Sequence, residues 1–172
     1  MAEEKKEKYV RPSWDEYFMG IMEMVSKRAT CDRGRQAAII VKDNQILVTG
    51  YVGSPVGLPH CDDVGHMMKE VHHEDGSVSN HCVRTLHAEQ NAIAQAAKRG
   101  VAIDGGTMYC RMTPCRVCAA MLINCGIKRV VTQNKYHQGQ TGLLEEAGLE
   151  VVVLKDELEE YEGMTEPASD KK

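Results

Sequence analysis

The sequence predicts an α/β protein built on a mixed sheet flanked by helices, and three observations carry that prediction. Two β-branched runs, AAIIV and QILVTGY, lie either side of Lys42, Asp43 and Asn44, which compose a hairpin turn. Three further strand-like runs, TMYCR, KRVVT and LEVVVL, alternate with helical stretches, the pattern of parallel crossovers in a covered sheet. The 172 residues, 42% hydrophobic and 27% charged, suffice for one domain with a real core.

Taken in order, residues 1–12 form a charged tail ending at Pro12. Ser13 with Glu16 makes a capping box that opens the helix WDEYFMGIMEMVSKRA, whose apolar face carries Trp14, Phe18, Ile21, Met22 and Val25. After the hairpin, from 53 to 81, apolar patterning disappears. That insertion, rich in Gly, Pro, His and Asp, is longer than an idle connection and is expected to be functional or locally stapled. Leu86 to Arg99 has high helix propensity and stops at Gly100. Pro114 opens a helix through Asn124, and TGLLEEAG is a short helix ending at Gly148. The domain is thus expected over 13–155, and the acidic residues 156–172 read as a solvated tail.

Bulk properties exclude several classes. The net charge is −4 and no Lys/Arg block stands out, which favours a small substrate over a polynucleotide. No apolar run is long enough for a membrane span, and MAEEKKEKYV lacks the apolar core of a signal peptide, so a cytoplasmic location is expected. Seven cysteines, an odd number without an export signal, argue against a disulfide framework and for metal binding or catalysis.

The strongest chemical signal is His87-Ala88-Glu89 followed by Pro114-Cys115-Arg116-Val117-Cys118. Cys115 and Cys118 stand three apart at a helix start, so their sulfurs share one face, and the positive helix end there favours thiolates. With His87 they make a three-ligand zinc site that keeps a fourth position open, the arrangement of catalytic zinc. Such a zinc lowers the pKa of a bound water to about 7. Glu89, close by but not needed as a ligand, can accept that water's proton and pass it to a leaving group. A structural zinc knuckle beside an unrelated HAE is the plainer alternative.

H-x-E paired with P-C-x-x-C is the known signature of zinc nucleobase deaminases. TLHAEQNAIAQAAK, MTPCRVCAAMLINCGIKRVV and GYVGSPVGLPHCDD resemble the deoxycytidylate (dCMP) deaminase family of the cytidine deaminase superfamily over roughly residues 13–155. The resemblance implies a cytidine deaminase-like three-layer fold with a mixed five-stranded sheet. It also implies hydrolysis of dCMP to dUMP and ammonia, feeding thymidylate synthesis. Carried over, His87, Cys115 and Cys118 match the zinc ligands and Glu89 the general acid/base. Thr113 matches the position whose carbonyl receives the exocyclic amine. Asn91 reads as an organiser of the helix start. Tyr136 aligns with a tyrosine at the nucleotide end of the pocket, or simply ends a strand. Gly53 and Ser54 of GYVGSP fall in the substrate-binding segment.

Departures from the family pattern are local. Val52 stands where the family usually has Asn, Arg35 and Gln36 stand where relatives tend to have Val-Gly, and Thr132 replaces a common aromatic. Arg33 and Arg35 are candidate phosphate contacts, because guanidinium forks recognise phosphate well, or else exposed charges at a strand start.

The resemblance also implies a second, structural zinc pinning the insertion. Cys31, Cys61, His66 and Cys82 are the candidate ligands, with His81 as a substitute for one of them. Free thiols packed as small hydrophobes are the alternative. Cys110 and Cys125 read as core packing, and His72, His73, Glu74 and Asp75 as a solvated loop tip. Homo-oligomers, dimers or hexamers, and control by dCTP and dTTP with Mg2+ are implied as well. Two other functional readings stay open: a deaminase of another aminated ring, and a non-catalytic zinc module that binds nucleotides.

Overall fold

The computed structural model describes residues 9–72, 78–159 and 165–166. Five helices are described: α1 Trp14–Ser26, α2 Cys61–Val64, α3 Ala88–Arg99, α4 Arg116–Asn124 and α5 Thr141–Glu146. The strands are β1 Ala37–Lys42, β2 Gln45–Tyr51, β3 Met68–His72, β4 Val78–Cys82, β5 Thr107–Met112, β6 Arg129–Asn134, β7 Glu150–Val153 and β8 Thr165–Glu166. Five strands form the main sheet in the order β2-β1-β5-β6-β7. The β2-β1-β5 part is antiparallel and the β5-β6-β7 part parallel, so the sheet is mixed as the sequence predicts.

The period-2 alternation of the strands divides the core into two layers. Ala38, Ile40, Met108, Cys110 and Val130 face α3 and α4 through Ala88, Ala92, Ala96, Ala119 and Leu122. The intervening Ala37, Ile39, Val41, Tyr109 and Val131 face α1 through Phe18, Met19 and Met22. Helix, sheet and helices thus stack as three layers. The Ser13–Glu16 capping box is present. Trp14, expected on the apolar face, is 55% exposed: it stacks on Phe18 at the edge of the core, in a shallow groove with Tyr17, Asn44, Gln45 and Ile46, while Met19 is buried in its place. Across the β1–β2 turn, Asp43 and Asn44 both take positive φ, 51° and 58°, the geometry that a two-residue hairpin of right-handed twist requires.

Gly50 fixes the approach of α3 to β2. A Cβ there would stand 2.3 Å from Ala92 N and 2.4 Å from Ala88 O, so only glycine lets the two backbones meet. α1 is tied to the sheet by Asp15, which accepts from Arg129 Nη1 and Nη2 at 2.7 and 2.8 Å and from the Tyr109 hydroxyl at 2.8 Å. The Arg129 guanidinium holds the Asp15 carboxyl below the usual carboxylate range against the opposing effect of burial.

Two expectations differ from the structure. The insertion 53–81 is not patternless: it contains α2 and the β3–β4 hairpin, to which β8 adds a third strand. β3 is exposed on nearly every residue, so it lacks the apolar alternation that marks a strand in sequence. The residues after 155 are not wholly a solvated tail either. Leu158 bridges to Lys135, Glu159 accepts from Arg111 and Asn134, and β8 pairs with Val78 and Ser79. Residues 1–8 and most of 160–172 lie outside the described residues, as do His73, Glu74 and Asp75. His72, expected in a loop tip, is instead the last residue of β3, exposed and paired with Glu70 at 2.7 Å.

Candidate active site

His87 and Cys115 are the N-cap residues of α3 and α4, one position before the helical turns in which the sequence reading sets them. The capping position suits both, because it leaves the backbone extended and turns the side chain toward the free N–H groups of the first turn. Cys115 Sγ and Cys118 Sγ lie 3.6 and 3.5 Å from His87 Nδ1, and the three donor atoms fall within 4.8 Å of one another. Tetrahedral zinc with Zn–S and Zn–N bonds of standard length has S···N edges of about 3.6 Å. The donor set therefore fits zinc without rearrangement. Hydrogen bonding with Cys118, against the opposing effect of burial, and with His87 holds the Cys115 thiol down to about 4. Its partner Cys118 is pushed up by that same hydrogen bond and by burial, and His87 is raised to about 9 through its contact with Cys115.

Glu89 projects beside this set from the first turn of α3, and burial raises its carboxyl above the usual range. A carboxyl so placed takes up a proton more readily than one in water, which is what a proton carrier needs. Below it, Cys110 is fully buried in β5 and, as expected, packs in the core. Asn91 donates from Nδ2 to Tyr51 O at 2.9 Å and so fixes α3 against β2, the organising role read from sequence.

A second donor set sits across the same cleft. Cys31, Cys61, His66 and Cys82 each bring one ligand atom within 4.8 Å of the others, with Cys31 Sγ to His66 Nδ1 at 3.7 Å and Cys61 Sγ to Cys82 Sγ at 3.5 Å. Four donors close a tetrahedron and leave no open position. Asp32 Oδ1 accepts from His66 Nε2 at 3.1 Å, which turns Nδ1 toward the thiols, as a carboxylate behind a ligating imidazole does. Burial pushes Cys61 up to about 12. Cys82, against the effect of burial, is brought down to about 7 by the N–H groups of Arg84 and Met67. His81 is not in this set. Its Nε2 bonds Ser79 Oγ at 2.7 Å, and the residue lines the cleft instead, because neighbouring strand residues point to different sides.

The cleft joins both sets, with Cys31 and Cys82 in one wall and His87, Glu89 and Cys115 in another. Thr113 and Tyr136 line it: Thr113 is buried, and its Oγ1 accepts from Tyr136 N at 2.9 Å. Arg33 lines it too, with Nη2 on Asn80 O at 2.9 Å. Arg35 does not; it forks onto Asp62 at 3.1 and 3.2 Å and bonds Ala29 O, which braces α2 beside Cys61. Gly53 and Ser54 are not among the lining residues. The Gly53 carbonyl accepts from Leu86 N at 3.0 Å, and Ser54 Oγ is buried. Residues that the sequence reading gave no role also face the cleft, among them Gln36, Thr85 and Arg111. Gln36 is marked early only as a departure from the family pattern, and Arg111 only by its position near the end of β5.

Fold and site together define a class, a three-layer α/β protein with a three-donor Cys/His set at two helix starts and a partly buried carboxyl beside it. Residues 12–134 match the family described as the cytidine and deoxycytidylate deaminase zinc-binding region. The chain is 40% identical over 152 residues to ComE operon protein 2 of Bacillus subtilis, covering 87% of this chain and 75% of that protein. It is 33% identical to the deoxycytidylate deaminase of Schizosaccharomyces pombe over 82% of this chain, but spans only 44% of that longer protein. Among solved structures it resembles the dCMP deaminase of cyanophage S-TIM5 in complex with dCMP and dUMP. That match has a TM-score of 0.66 and 33% identity, and covers 83% of this chain and 98% of that one. The chain belongs to the cytidine and deoxycytidylate deaminase family.

Proposed function

We propose that this protein hydrolyses dCMP to dUMP and ammonia, with His87, Cys115 and Cys118 holding a catalytic zinc and Glu89 moving the protons. The observation that carries the reading is the partly buried Glu89 carboxyl, its pKa raised by desolvation, beside a three-donor set whose spacing fits zinc and leaves one coordination position open. Relatives named deoxycytidylate deaminase and a phage structure holding dCMP and dUMP support the choice of substrate. Zinc, when bound there, supplies a water activated for attack near neutral pH. Glu89 takes one proton from the water as its oxygen bonds to C4 and gives it to N3, then carries a second proton from the new C4 hydroxyl to the amine, so that the C4–N bond breaks, C4 becomes a carbonyl and ammonia leaves. The Thr113 carbonyl receives the exocyclic amine, and Tyr136 and Arg33 border the nucleotide.

Cys31, Cys61, His66 and Cys82 hold a structural zinc in the same reading, supported by their four-donor geometry and by Asp32 behind His66. The reading extends to a homo-oligomer, dimer or hexamer, to control by dCTP and dTTP with Mg2+, and to a reducing compartment such as the cytoplasm, where seven free thiols persist. Among the described residues no helix is long and apolar enough to cross a membrane. An absorbance assay over dCMP, CMP, dCTP, cytidine, adenosine and guanine tests the central claim. Turnover of dCMP above the rest is expected; turnover of another ring alone, or of none, sinks it. Sedimentation and a dCTP titration of the rate test assembly and control.

A further inference from the structure

Gln36 has an amide nitrogen, Nε2, that is buried and without a hydrogen-bond partner among the described residues, and the side chain lines the cleft that contains Glu89. A buried donor with nothing to bond is unfavourable, and native proteins retain few of them unless something else completes the bond. Next to it, Val52 donates its backbone N–H to Gln36 O at 2.9 Å and turns an apolar side chain into the same cleft.

We infer that Gln36 is a specificity-determining residue whose side-chain amide donates to the 3′-hydroxyl of the substrate's deoxyribose. The inference rests on the dCMP reading above and deepens it. The three parts of a deoxynucleotide sort themselves by chemistry. The ring belongs at His87, Cys115 and Glu89, where the reacting carbon must lie. The phosphate calls for cations, and the cleft offers Arg33 and Arg111. What remains is neutral, and a neutral carboxamide that can donate suits a hydroxyl oxygen rather than a dianion. Position agrees, because Gln36 directly precedes β1, the strand paired antiparallel with β5, so it stands beside the end of β5 from which the Thr113–Cys115 turn runs on.

The test compares dCMP with 2′,3′-dideoxycytidylate, which lacks only that hydroxyl, in the zinc-loaded wild type and in Gln36→Leu. The wild type should prefer dCMP in kcat/KM by about tenfold, the worth of one hydrogen bond. Q36L should lose about that factor on dCMP, chiefly through KM, and little on the dideoxy substrate, so that the preference falls below about twofold. A preference unchanged in Q36L, whatever the absolute loss, overturns the inference, because a packing role would weaken both substrates alike. A thermal melt and zinc content of Q36L confirm that the comparison is made on folded, loaded protein. If the wild type deaminates no dCMP, the substrate reading fails and this inference falls with it; if it does and the ratio persists in Q36L, only the inference fails.

Discussion

Glu89 is asked to do the most chemistry for its size. Gln in its place keeps shape and hydrogen bonding but cannot carry a proton, so Glu89→Gln should lower kcat by about 10²–10⁴ while metal content stays at the wild-type value. Activity within tenfold of wild type would remove Glu89 from the mechanism. Asp15 supports an independent prediction at the same scale. Its folded-state pKa is depressed, so the stability it contributes is present above the unfolded pKa and is lost as pH falls through the folded one. Asp15→Asn should therefore cost on the order of 1 kcal/mol at neutral pH, read by denaturant melts. That gap should shrink below about pH 3.9 and vanish once Asp15 is protonated in both states. Legibility also differs from residue to residue. His87, Glu89, Cys115 and Cys118 can be read from sequence because their spacing is local and helix starts do the aligning. Gln36 cannot, since an amide's role depends on which distant groups surround it, and Arg35 looks like a phosphate ligand until its fork onto Asp62 is seen.

Elements were legible in proportion to how much of them is buried. β1 has five buried residues in six and declares itself, whereas β3 has none fully buried and shows no pattern to read. Pairing across a hairpin whose faces are mostly wet is held by its ends, and here the ends are Cys61, His66 and Cys82. Cys61→Ser should release one of two zinc equivalents on metal analysis and speed hydrogen exchange over 61–82, leaving β1, β5 and β6 as slow as before. Equal protection with a single zinc in the wild type would show that the hairpin stands unaided. The contact of α3 with β2 has a sharper limit. Gly50→Ala forces backbone against backbone, with no flexible side chain to yield, and should destabilise by about 1–3 kcal/mol or more in a thermal or urea melt.

For the whole molecule, the two donor sets divide the labour that a single apolar core cannot cover. The three-layer body is built from alternating strand residues, and the donor sets lie outside it, in the insertion and the cleft, which in the proposed reading are the parts that depend on zinc. Chelation should accordingly abolish turnover while the main sheet keeps its far-ultraviolet circular dichroism, and zinc alone should restore activity. Collapse of the whole fold on chelation would contradict that division. The C-terminal residues belong to this scale too. Composition marks them as solvated, yet Glu159 reaches back to Arg111 in the cleft wall, a long-range partnership that acidic composition does not disclose.

Trp14 is the only tryptophan in the chain. It lies beside Asn44 and Ile46, at the turn end of β1, whereas Gln36 and Ala37 meet the cleft at the other end, roughly 17 Å away along six extended residues. Intrinsic fluorescence excited at the indole will thus follow the docking of α1 and stay silent when nucleotide enters. Unfolding and ligand occupancy can be recorded in one cuvette as separate signals, provided that occupancy is followed by an extrinsic dye or by the ring's own absorbance.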